Sequence, residues 1–556
     1  MSQARATRTV LIAVAALALA TVGAAPAVAV GARSSGASAA RADSQSGAPA
    51  LARRVATDIQ PGAGSARVSG TGSTRPHGVR HASAASSSVA PRATAPGVAT
   101  DPSSLLSSFN GTSSRDSEFT NFNLRFEPPD QGLCAGAGFI IEPVNSAYRI
   151  YNTAGQTLRG PFNVNELFNE GGKEFTSDPR CWYDPSAHAW FATILFLNDT
   201  FTEGRLDIAV NPSDDPTGLW TEYQIDTTFD GRDGEPNLPG CPCFGDQPRI
   251  GIDQTNLYIT TDEFSINGPQ FYGGQIYAID KSDLVAGAAT AHFVRFGNLH
   301  LGGALSGAPQ PALSIGTPNA EYFLSQLDPQ GAGDNRIGVW AMTNRGRVGT
   351  GGSPTLSKLT IGSLPYVTPA RAKQRGSTST LDAGDDRMQQ ASFVNGSLWG
   401  ELGTGLSVLG APANRAGAAW FQVRPRLSGN VLSGASIVRQ GYLVNPSGAL
   451  LYPAIQPDAA GNAAMVFTLT GANRFPSVGY SVLKAGETAF STPRVAAAGT
   501  GPYDPAATRW GDYSFAVPDP GSDSAWLASE YIPPVSSQTT TRTRNWGTRV
   551  IHVKLG

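Results

Sequence analysis

Residues 205–210 read Arg205-Leu-Asp-Ile-Ala-Val210, an alternation of apolar residues with polar or smaller ones. This alternation is typical of a β-strand with one buried face. Six other stretches have the same character: Ala147–Tyr151, Gln275–Ile279, Arg336–Ala341, Ala418–Val423, Val478–Val482 and Arg549–Val553. Recurrence at intervals of roughly 60 residues, with turn-rich segments between, is typical of repeat architectures. The sequence therefore predicts seven equivalent structural repeats.

The second repeat shows how many strands each repeat contains. Around the strand at 205–210 it has Asp178-Pro-Arg-Cys-Trp-Tyr-Asp184, Trp190-Phe-Ala-Thr-Ile194 and Trp220-Thr-Glu-Tyr-Gln224. Four strands joined by short turns form an antiparallel meander, the blade of a β-propeller. We therefore predict an all-β protein with a seven-bladed β-propeller, and six or eight blades are the alternatives.

The last repeat has only three recognisable strands before residue 556. Its fourth strand must come from elsewhere if the propeller is to close without open edges. The one unassigned segment that looks like a strand is Phe119-Thr-Asn-Phe-Asn-Leu-Arg-Phe126. We predict that this segment completes the last blade.

The N-terminal part differs in composition from the rest. Residues 1–30 combine Arg5 and Arg8 with an apolar run and small residues at 25, 27 and 29, the pattern of an export signal peptide. Residues 31–115 are rich in Ala, Ser, Gly, Pro and Arg and almost free of aromatic residues, which predicts a disordered tail. The propeller domain is assigned to residues 116–556.

Charge and hydropathy limit the cellular locations and the classes of binding partner that the sequence allows. The first 100 residues carry ten Arg against two Asp, a charge of +8, so the remainder carries −10 of the net −2. An acidic body argues against a nucleic-acid partner. No apolar run of about 18 residues follows the signal, so no transmembrane segment is expected in the mature protein. We expect a secreted protein, extracellular or associated with the cell wall, of unknown oligomeric state.

The four cysteines Cys134, Cys181, Cys241 and Cys243 suit an oxidising compartment. Cys134 and Cys181 occupy matching early positions of neighbouring repeats, which predicts a disulfide between adjacent blades. The Cys241-Pro-Cys243 pair lacks the ligand spacing of a zinc site, so a disulfide is favoured there also, with the pairing open. No metal and no cofactor are predicted.

Function is expected where charged residues from several blades meet. In a propeller meander the first strand starts, and the second strand ends, at the same mouth of the central channel. First-strand starts supply the binding candidates Asp178, Arg180, Asp246, Arg249, Arg509 and Asp512, and also Asp386 and Arg387. Second-strand ends supply the catalytic candidates Glu263, Glu401 and Glu530, and also Glu142. These residues are predicted to surround one funnel.

Two interpretations of this funnel compete. Paired carboxylates can cleave a glycosidic bond and arginine forks suit carboxylated sugars, so the funnel can recognise a cell-wall or plant polysaccharide, with hydrolase or lyase activity. Alternatively the same residues are salt bridges that lock the blades, and the protein is a non-enzymatic scaffold for extracellular or surface proteins. The aspartates Asp184, Asp253 and Asp458 each lie at the turn after a first strand and are interpreted as turn-stabilising residues.

Several short motifs carry a resemblance to known sequences. They are Pro128-Pro-Asp-Gln-Gly-Leu-Cys134, Ser177-Asp-Pro-Arg-Cys181, Cys243-Phe-Gly-Asp-Gln-Pro-Arg249, Ile259-Thr-Thr-Asp-Glu-Phe264 and Arg509-Trp-Gly-Asp-Tyr-Ser514. Together they resemble the signatures of an uncharacterised group of secreted, propeller-like hypothetical proteins of actinobacteria and other soil bacteria. The resemblance covers about residues 119–556 and implies export and the repeat fold. It implies no activity and no catalytic residue.

Overall fold

The computed structural model of the protein describes residues 43–60, 90–93, 101–121, 126–171, 174–232, 235–327, 332–408, 415–503, 509–534 and 545–556. The predicted signal peptide lies outside these residues. The described part is all-β, as the sequence predicts, and its longest helix has seven residues. Within this part no helix is long and apolar enough to cross a membrane.

Most strands group into meanders, runs of consecutive antiparallel strands numbered here in chain order. Meander 1 comprises Cys134–Gly136, Phe139–Val144, Ala147–Asn152 and Thr157–Phe162. Meander 2 comprises Phe175–Asp184, Ala189–Leu197, Gly204–Asn211 and Trp220–Asp226. Meander 3 comprises Cys243–Ile252, Asn256–Ser265, Phe271–Asp280 and Thr290–Phe296. Meander 4 comprises Gln310–Ser314, Glu321–Gln326, Asp334–Thr343 and Thr355–Tyr366.

The C-terminal half continues the same pattern. Meander 5 comprises Met388–Val394, Ser397–Val408, Arg415–Ser428 and Val431–Leu443. Meander 6 comprises Ala449–Pro457, Ala463–Gly471, Arg474–Leu483 and Arg494–Ala497. Meander 7 comprises Phe515–Pro518, Ser524–Tyr531 and Gly547–Lys554. Each of the seven alternating stretches of the sequence is the third strand of its meander.

The strand that completes meander 7 comes from the N-terminal side, but not from the predicted segment. Leu105–Ser113, the closing strand, pairs antiparallel with Gly547–Lys554. The prediction of 119–126 is wrong, because Ser114–Thr120 form an α-helix and residues 122–125 lie outside the described part. Ser113 and Asp116 form a capping box that starts this helix, a local signal that the alternation pattern does not contain.

The region predicted as a disordered tail contains further strands. Ala48–Ile59, the bridging strand, pairs with the fourth strands of meanders 2 and 3. Asp43–Ser46 pair with meander 4, and Arg92–Ala93 pair with meander 5. The side chains of the bridging strand are mostly exposed. Backbone hydrogen bonds to the two open strand edges therefore hold this strand more than buried side chains do. The low content of apolar residues in this region predicts disorder, although the bridging strand is ordered through its backbone pairing.

The remaining elements are short. They are the hairpin of His300–Leu301 and Ala304–Leu305, the helix Lys281–Val285, and the 3-10 turns Pro102–Ser104, Val164–Phe168 and Arg345–Thr350. Short parallel pairings also link neighbouring first strands, Ile252 with Leu313 and Ala312–Ser314 with Ala391–Phe393.

Aromatic residues fill the spaces between neighbouring meanders. Tyr322 stacks on Phe393 between meanders 4 and 5, with ring centroids 4.7 Å apart. The ring of Phe109 on the closing strand lies 5.0 Å from that of Tyr151, so meander 7 also packs against meander 1. Trp220, Trp399, Trp510 and Trp546, at the edges of loops in the sequence, are all buried in these cores.

The cysteines form two disulfides, and no described cysteine is free. Cys134 is joined to Cys181, the pairing that the sequence predicts, and the bond links meanders 1 and 2. Cys241 is joined to Cys243, the first residue of the first strand of meander 3. The pairing that the sequence left open is therefore a closed three-residue loop.

The turn aspartates stabilise their own turns. Asp184 accepts a hydrogen bond from Ser186 N at 2.8 Å, Asp253 from Thr255 N at 2.7 Å, and Asp458 from Asn462 N at 2.8 Å. Asp184 also pairs with buried Lys281 at 2.5 Å. The structural interpretation of these three residues is therefore confirmed.

Candidate functional site

The backbone at the start of several first strands has an unusual conformation. Asp130, Asp178, Gln247 and Tyr452 have φ between +45° and +59°, the left-handed region that non-glycine residues rarely adopt. In meanders 2, 3 and 6 this residue coincides with a β-bulge in the pairing to the second strand. Bulges change the direction of a side chain, and residues held in this region are frequent at functional sites.

Three carboxylates from different meanders meet at this level. Asp130 precedes meander 1, Asp178 lies in meander 2, and Asp512 precedes meander 7; one carboxylate oxygen of each lies within 4.8 Å of the others. Tyr513 donates a hydrogen bond to Asp178 Oδ1 at 2.6 Å, and the Asn145 amide donates to Asp130 Oδ2 at 2.7 Å. The protein thus concentrates acidic groups at a place where its first strands begin.

A buried guanidinium lies beside these carboxylates. The Cζ atom of Arg180 is 3.4 Å from the ring centroid of Tyr513, a cation–π contact. Its Nε and Nη1 groups donate no hydrogen bond to any described residue, although the residue is only 4% exposed. Burial lowers the pKa of Arg180, while Tyr513 and Asp178 oppose that change. A buried donor without an acceptor costs free energy, so these groups are suited to receive an anionic or hydroxyl-bearing ligand.

A second carboxylate, Asp262, is held by two further arginines. Arg249 Nη2 lies 2.9 Å and Arg387 Nη1 3.8 Å from Asp262 Oδ2, and Ala308 N donates to Oδ1 at 2.8 Å. Burial opposes ionisation of Asp262, but the two arginines bring its pKa below the usual value. Asp262 therefore holds the guanidinium of Arg249 and lies near that of Arg387, which Asp385 binds at 2.6 Å.

The residues around Arg180 and those around Asp262 interact electrostatically. Arg249 lowers the pKa of Arg180, and Asp512 helps to raise that of Arg387. Arg509 forms an ion pair with Asp512. We call the whole set the arginine–aspartate cluster: Asp130, Asp178, Arg180, Arg249, Asp262, Arg387, Arg509, Asp512 and Tyr513. The side chain of Arg387 is 25% exposed and that of Arg509 13%, so the cluster reaches solvent.

Two of the three predicted catalytic glutamates lie elsewhere. Glu263 follows Asp262 directly and therefore projects from the opposite face of its strand, towards Arg295 and Tyr277. Glu401 is fully buried beside backbone groups of Gln390 and Ile455. Burial raises the pKa of both carboxyl groups well above the usual value. Both are interior groups whose burial disfavours the charged form.

Glu530 is the predicted glutamate that borders the cluster. Its carboxyl group lies beside Gly511, since a Cβ added there would be 3.1 Å from Glu530 Oε2. Burial raises its pKa well above the usual value, and Asp130 and Asp512 add to that effect. Glu530 is therefore a carboxyl group beside the aspartates of the cluster whose burial favours the protonated form.

The sequence-predicted binding residues divide in the same way. Asp178, Arg180, Arg249, Arg509 and Asp512 belong to the arginine–aspartate cluster, whereas half-buried Asp246 lies near Glu263 and contributes to its raised pKa. The sequence reasoning missed Asp130, Asp262 and Tyr513. Asp262 precedes Glu263 in the same strand, so strand alternation alone would have shown that only one of them can face Arg249.

A cavity of about 520 Å³ lies where first and second strands are joined, at the far end of the first strands from the cluster. Its lining includes a residue from every meander: Ala135, Asp184, Asp253, Ile315, Val394, Asp458 and Asp519. The first turns of the meanders therefore surround one common space.

No family model and no curated protein matches the sequence. Among solved structures, the chain is similar to an α-L-arabinanase of Penicillium chrysogenum complexed with arabinobiose, at 10% identity, a TM-score of 0.35 and coverage of 81% of this chain and 98% of that one. It is similar to the Hadza microbial sialidase Hz136 at 11% identity and a TM-score of 0.37, over 77% and 75% of the chains. Drosophila semaphorin 1b gives 10% identity and 0.34, over 82% and 88%. Likenesses of this strength establish neither fold nor function.

Proposed function

We propose that the protein is a secreted, seven-bladed β-propeller that binds a glycan at the arginine–aspartate cluster. The propeller is supported by the four-stranded meanders, by the packing of the closing strand against meander 1 and by the single cavity that all first turns surround. The two disulfides are consistent with an oxidising compartment.

The observation that carries the proposed ligand is the buried guanidinium of Arg180. Two of its N–H-bearing nitrogens have no acceptor among the described residues, and three carboxylates lie next to it. Guanidinium groups donate to carboxylates in forked pairs, and aspartates accept from sugar hydroxyls. The partner that suits both is a polysaccharide with carboxylated sugars.

Hydrolysis of that glycan is the activity that the cluster supports best. Glycoside cleavage requires a protonated acid and an ionised carboxylate close together. Glu530 is the candidate acid, because burial raises the pKa of its carboxyl group, and Asp512, which forms an ion pair with Arg509, is the candidate carboxylate. Environments that separate the ionisation of neighbouring carboxyl groups are typical of acid–base pairs.

Binding of polygalacturonate, compared with the same polymer after methyl esterification, tests the ligand. We expect the free acid to bind at least tenfold more tightly, since esterification removes the charge that the arginines pair with. Arg387→Ala should lower affinity for the free acid at least tenfold. Arg336→Ala, which removes an arginine that is 49% exposed on meander 4, is the matched control and should bind like the wild type. Equal affinity for both polymers would refute the ionic part of the proposal.

Reducing ends released from the bound polymer test the reaction. Glu530→Gln should bind the glycan and release none. If the wild type binds but releases no reducing ends, the protein is a binding module without hydrolase activity. If it binds no polysaccharide and instead retains a purified surface protein, the scaffold function is correct, an alternative favoured by the enclosed positions of Glu263 and Glu401.

A further inference from the structure

A second group of carboxylates lies at meander 2, away from the arginine–aspartate cluster. It consists of Glu170, in the segment before the meander, Asp207 on its third strand and Glu222 on its fourth. One oxygen of each lies within 4.8 Å of the others. Asp207 is opposite Gln224 and Ala209 is opposite Glu222, so the two acids are diagonal neighbours on one face of the sheet.

Among the residues that the structure describes, Arg205 is the cation in contact with this group. Arg205 Nη2 lies 2.6 Å from Glu170, its Nη1 2.9 Å from Glu203, and its Nε 3.6 Å from Asp207. Its guanidinium is fixed on the other side by the ring of Phe196, with Cζ 3.5 Å from the centroid. Arg205 therefore contacts three carboxyl groups, and Glu222 adds a fourth to the cluster, which leaves an excess of negative charge when all four are ionised.

Asp207 carries part of this excess negative charge in the protein interior. The residue is fully buried, and neither carboxylate oxygen accepts a hydrogen bond from any described residue. The 3.6 Å to Arg205 Nε is too long for a hydrogen bond. Buried carboxylates in native proteins are paired, protonated or bound to a metal ion. The oxygens of Asp207 are directed into the same space as those of Glu170 and Glu222.

We propose that Glu170, Asp207 and Glu222 bind a calcium ion. Ca²⁺ takes oxygen ligands at 2.3–2.6 Å in flexible geometry, so ligand oxygens on one ion lie up to about 5 Å apart. A separation of 4.8 Å meets this condition, and a set of oxygen ligands only selects hard cations. The ion neutralises the charge that Arg205 leaves uncompensated.

The residues around the three carboxylates support them. The Gln224 amide donates to Glu222 at 2.8 Å and to Glu170 at 3.1 Å, which holds two of the ligands in position. Arg205, Gln224 and Glu203, which surround the three carboxylates, also line a cavity of about 680 Å³ beside the bridging strand, together with Arg53 and Arg295.

Titration of the full chain with CaCl2, after removal of metal by a chelator, tests the site. By calorimetry at constant ionic strength we expect one Ca²⁺ per chain and a rise in melting temperature on binding. Asp207→Asn should reduce the affinity at least tenfold. Glu321→Gln, which replaces a fully buried glutamate of meander 4 by its amide, is the matched control and should bind Ca²⁺ like the wild type.

Each possible result of this titration either supports or refutes the calcium site. No Ca²⁺ binding by the wild type at millimolar concentration would mean that the carboxyl groups share protons, and the proposal fails. Unchanged affinity in Asp207→Asn would place the ion elsewhere, which also refutes it. If Asp207→Asn does not fold, the same titration of Glu222→Gln replaces it. Mg²⁺ binding as tight as Ca²⁺ would overturn the choice of ion.

Discussion

Asp262 and Glu263 are neighbours in one strand, yet they belong to regions with opposite electrostatics. Asp262 faces Arg249 and Arg387 in the arginine–aspartate cluster, and its pKa is lowered. Glu263 faces the other side, where burial dominates and its pKa is raised well above the usual value. Burial alone does not decide ionisation, because both residues are buried. The number of arginines within reach does.

The same contrast extends over the whole molecule. Glu142, Glu401 and Glu530 are buried like Glu263, and in each of them burial is the main cause of a raised pKa. Asp262, whose pKa is lowered, lies instead where the arginines Arg249 and Arg387 converge. The buried glutamates that recur at the ends of second strands are therefore part of the meander architecture. A functional site requires, in addition, opposite charges from different meanders.

Removal of one arginine from the cluster should have the largest effect. Arg249→Ala leaves Asp262 buried with only the more distant Arg387, so we expect a loss in the free energy of unfolding on the order of 3 kcal/mol. Arg336→Ala, at an exposed pair, should cost less than about 1 kcal/mol. Urea unfolding of both variants provides the measurement. Equal losses would show that the cluster is not a buried charge network.

The pH dependence of stability should distinguish the two regions. Burial raises the pKa of Glu142 to about 7, so the unfolded chain releases this proton at lower pH than the folded one. Its contribution to the free energy of unfolding is therefore full below about pH 4.5 and falls by about 3 kcal/mol as the pH rises to about 7. Glu142→Gln should remove that part of the decline. Unfolding curves of both proteins at pH 4.5 and 7.5 measure it, and parallel declines would contradict the prediction.

Asp262 should act in the opposite direction. Its lowered pKa means that its stabilising contribution is present above about pH 4 and is lost as the pH falls further through its folded pKa. Asp262→Asn should therefore lose stability at pH 7 and differ least from the wild type in strong acid. A difference that instead grows on acidification would reverse the assignment of charge to this residue.

The smallest effect is expected at Glu263. Because burial raises the pKa of this carboxyl group well above the usual value, Glu263→Gln introduces an uncharged group of the same shape, and stability at pH 7 should change by less than about 1 kcal/mol. Melting temperatures of Glu263→Gln and Asp262→Asn, measured side by side, provide the comparison. A loss in Glu263→Gln as large as in Asp262→Asn would mean that Glu263 is ionised.

Parts of the structure that depend on local pattern were predictable. Strand alternation located the third strand of each meander, because burial of one face of a sheet imposes a period of two on the sequence. Matching positions in adjacent repeats gave the Cys134–Cys181 bond. The closing strand was misplaced, since six of its nine residues are Ser, Asn, Gly or Thr, and its apolar residues Leu105, Leu106 and Phe109 do not alternate along the strand.

The sequence by itself determined the all-β class, the repeats and the presence of charged residues at strand ends, because these follow from residues close together in the chain. Tertiary structure decided which charges meet. Asp130, Asp178 and Asp512 are up to 382 positions apart in the chain and yet share one site. Whether a buried carboxyl group is ionised depends on its distance to guanidinium groups of other meanders, and only the tertiary structure sets that distance.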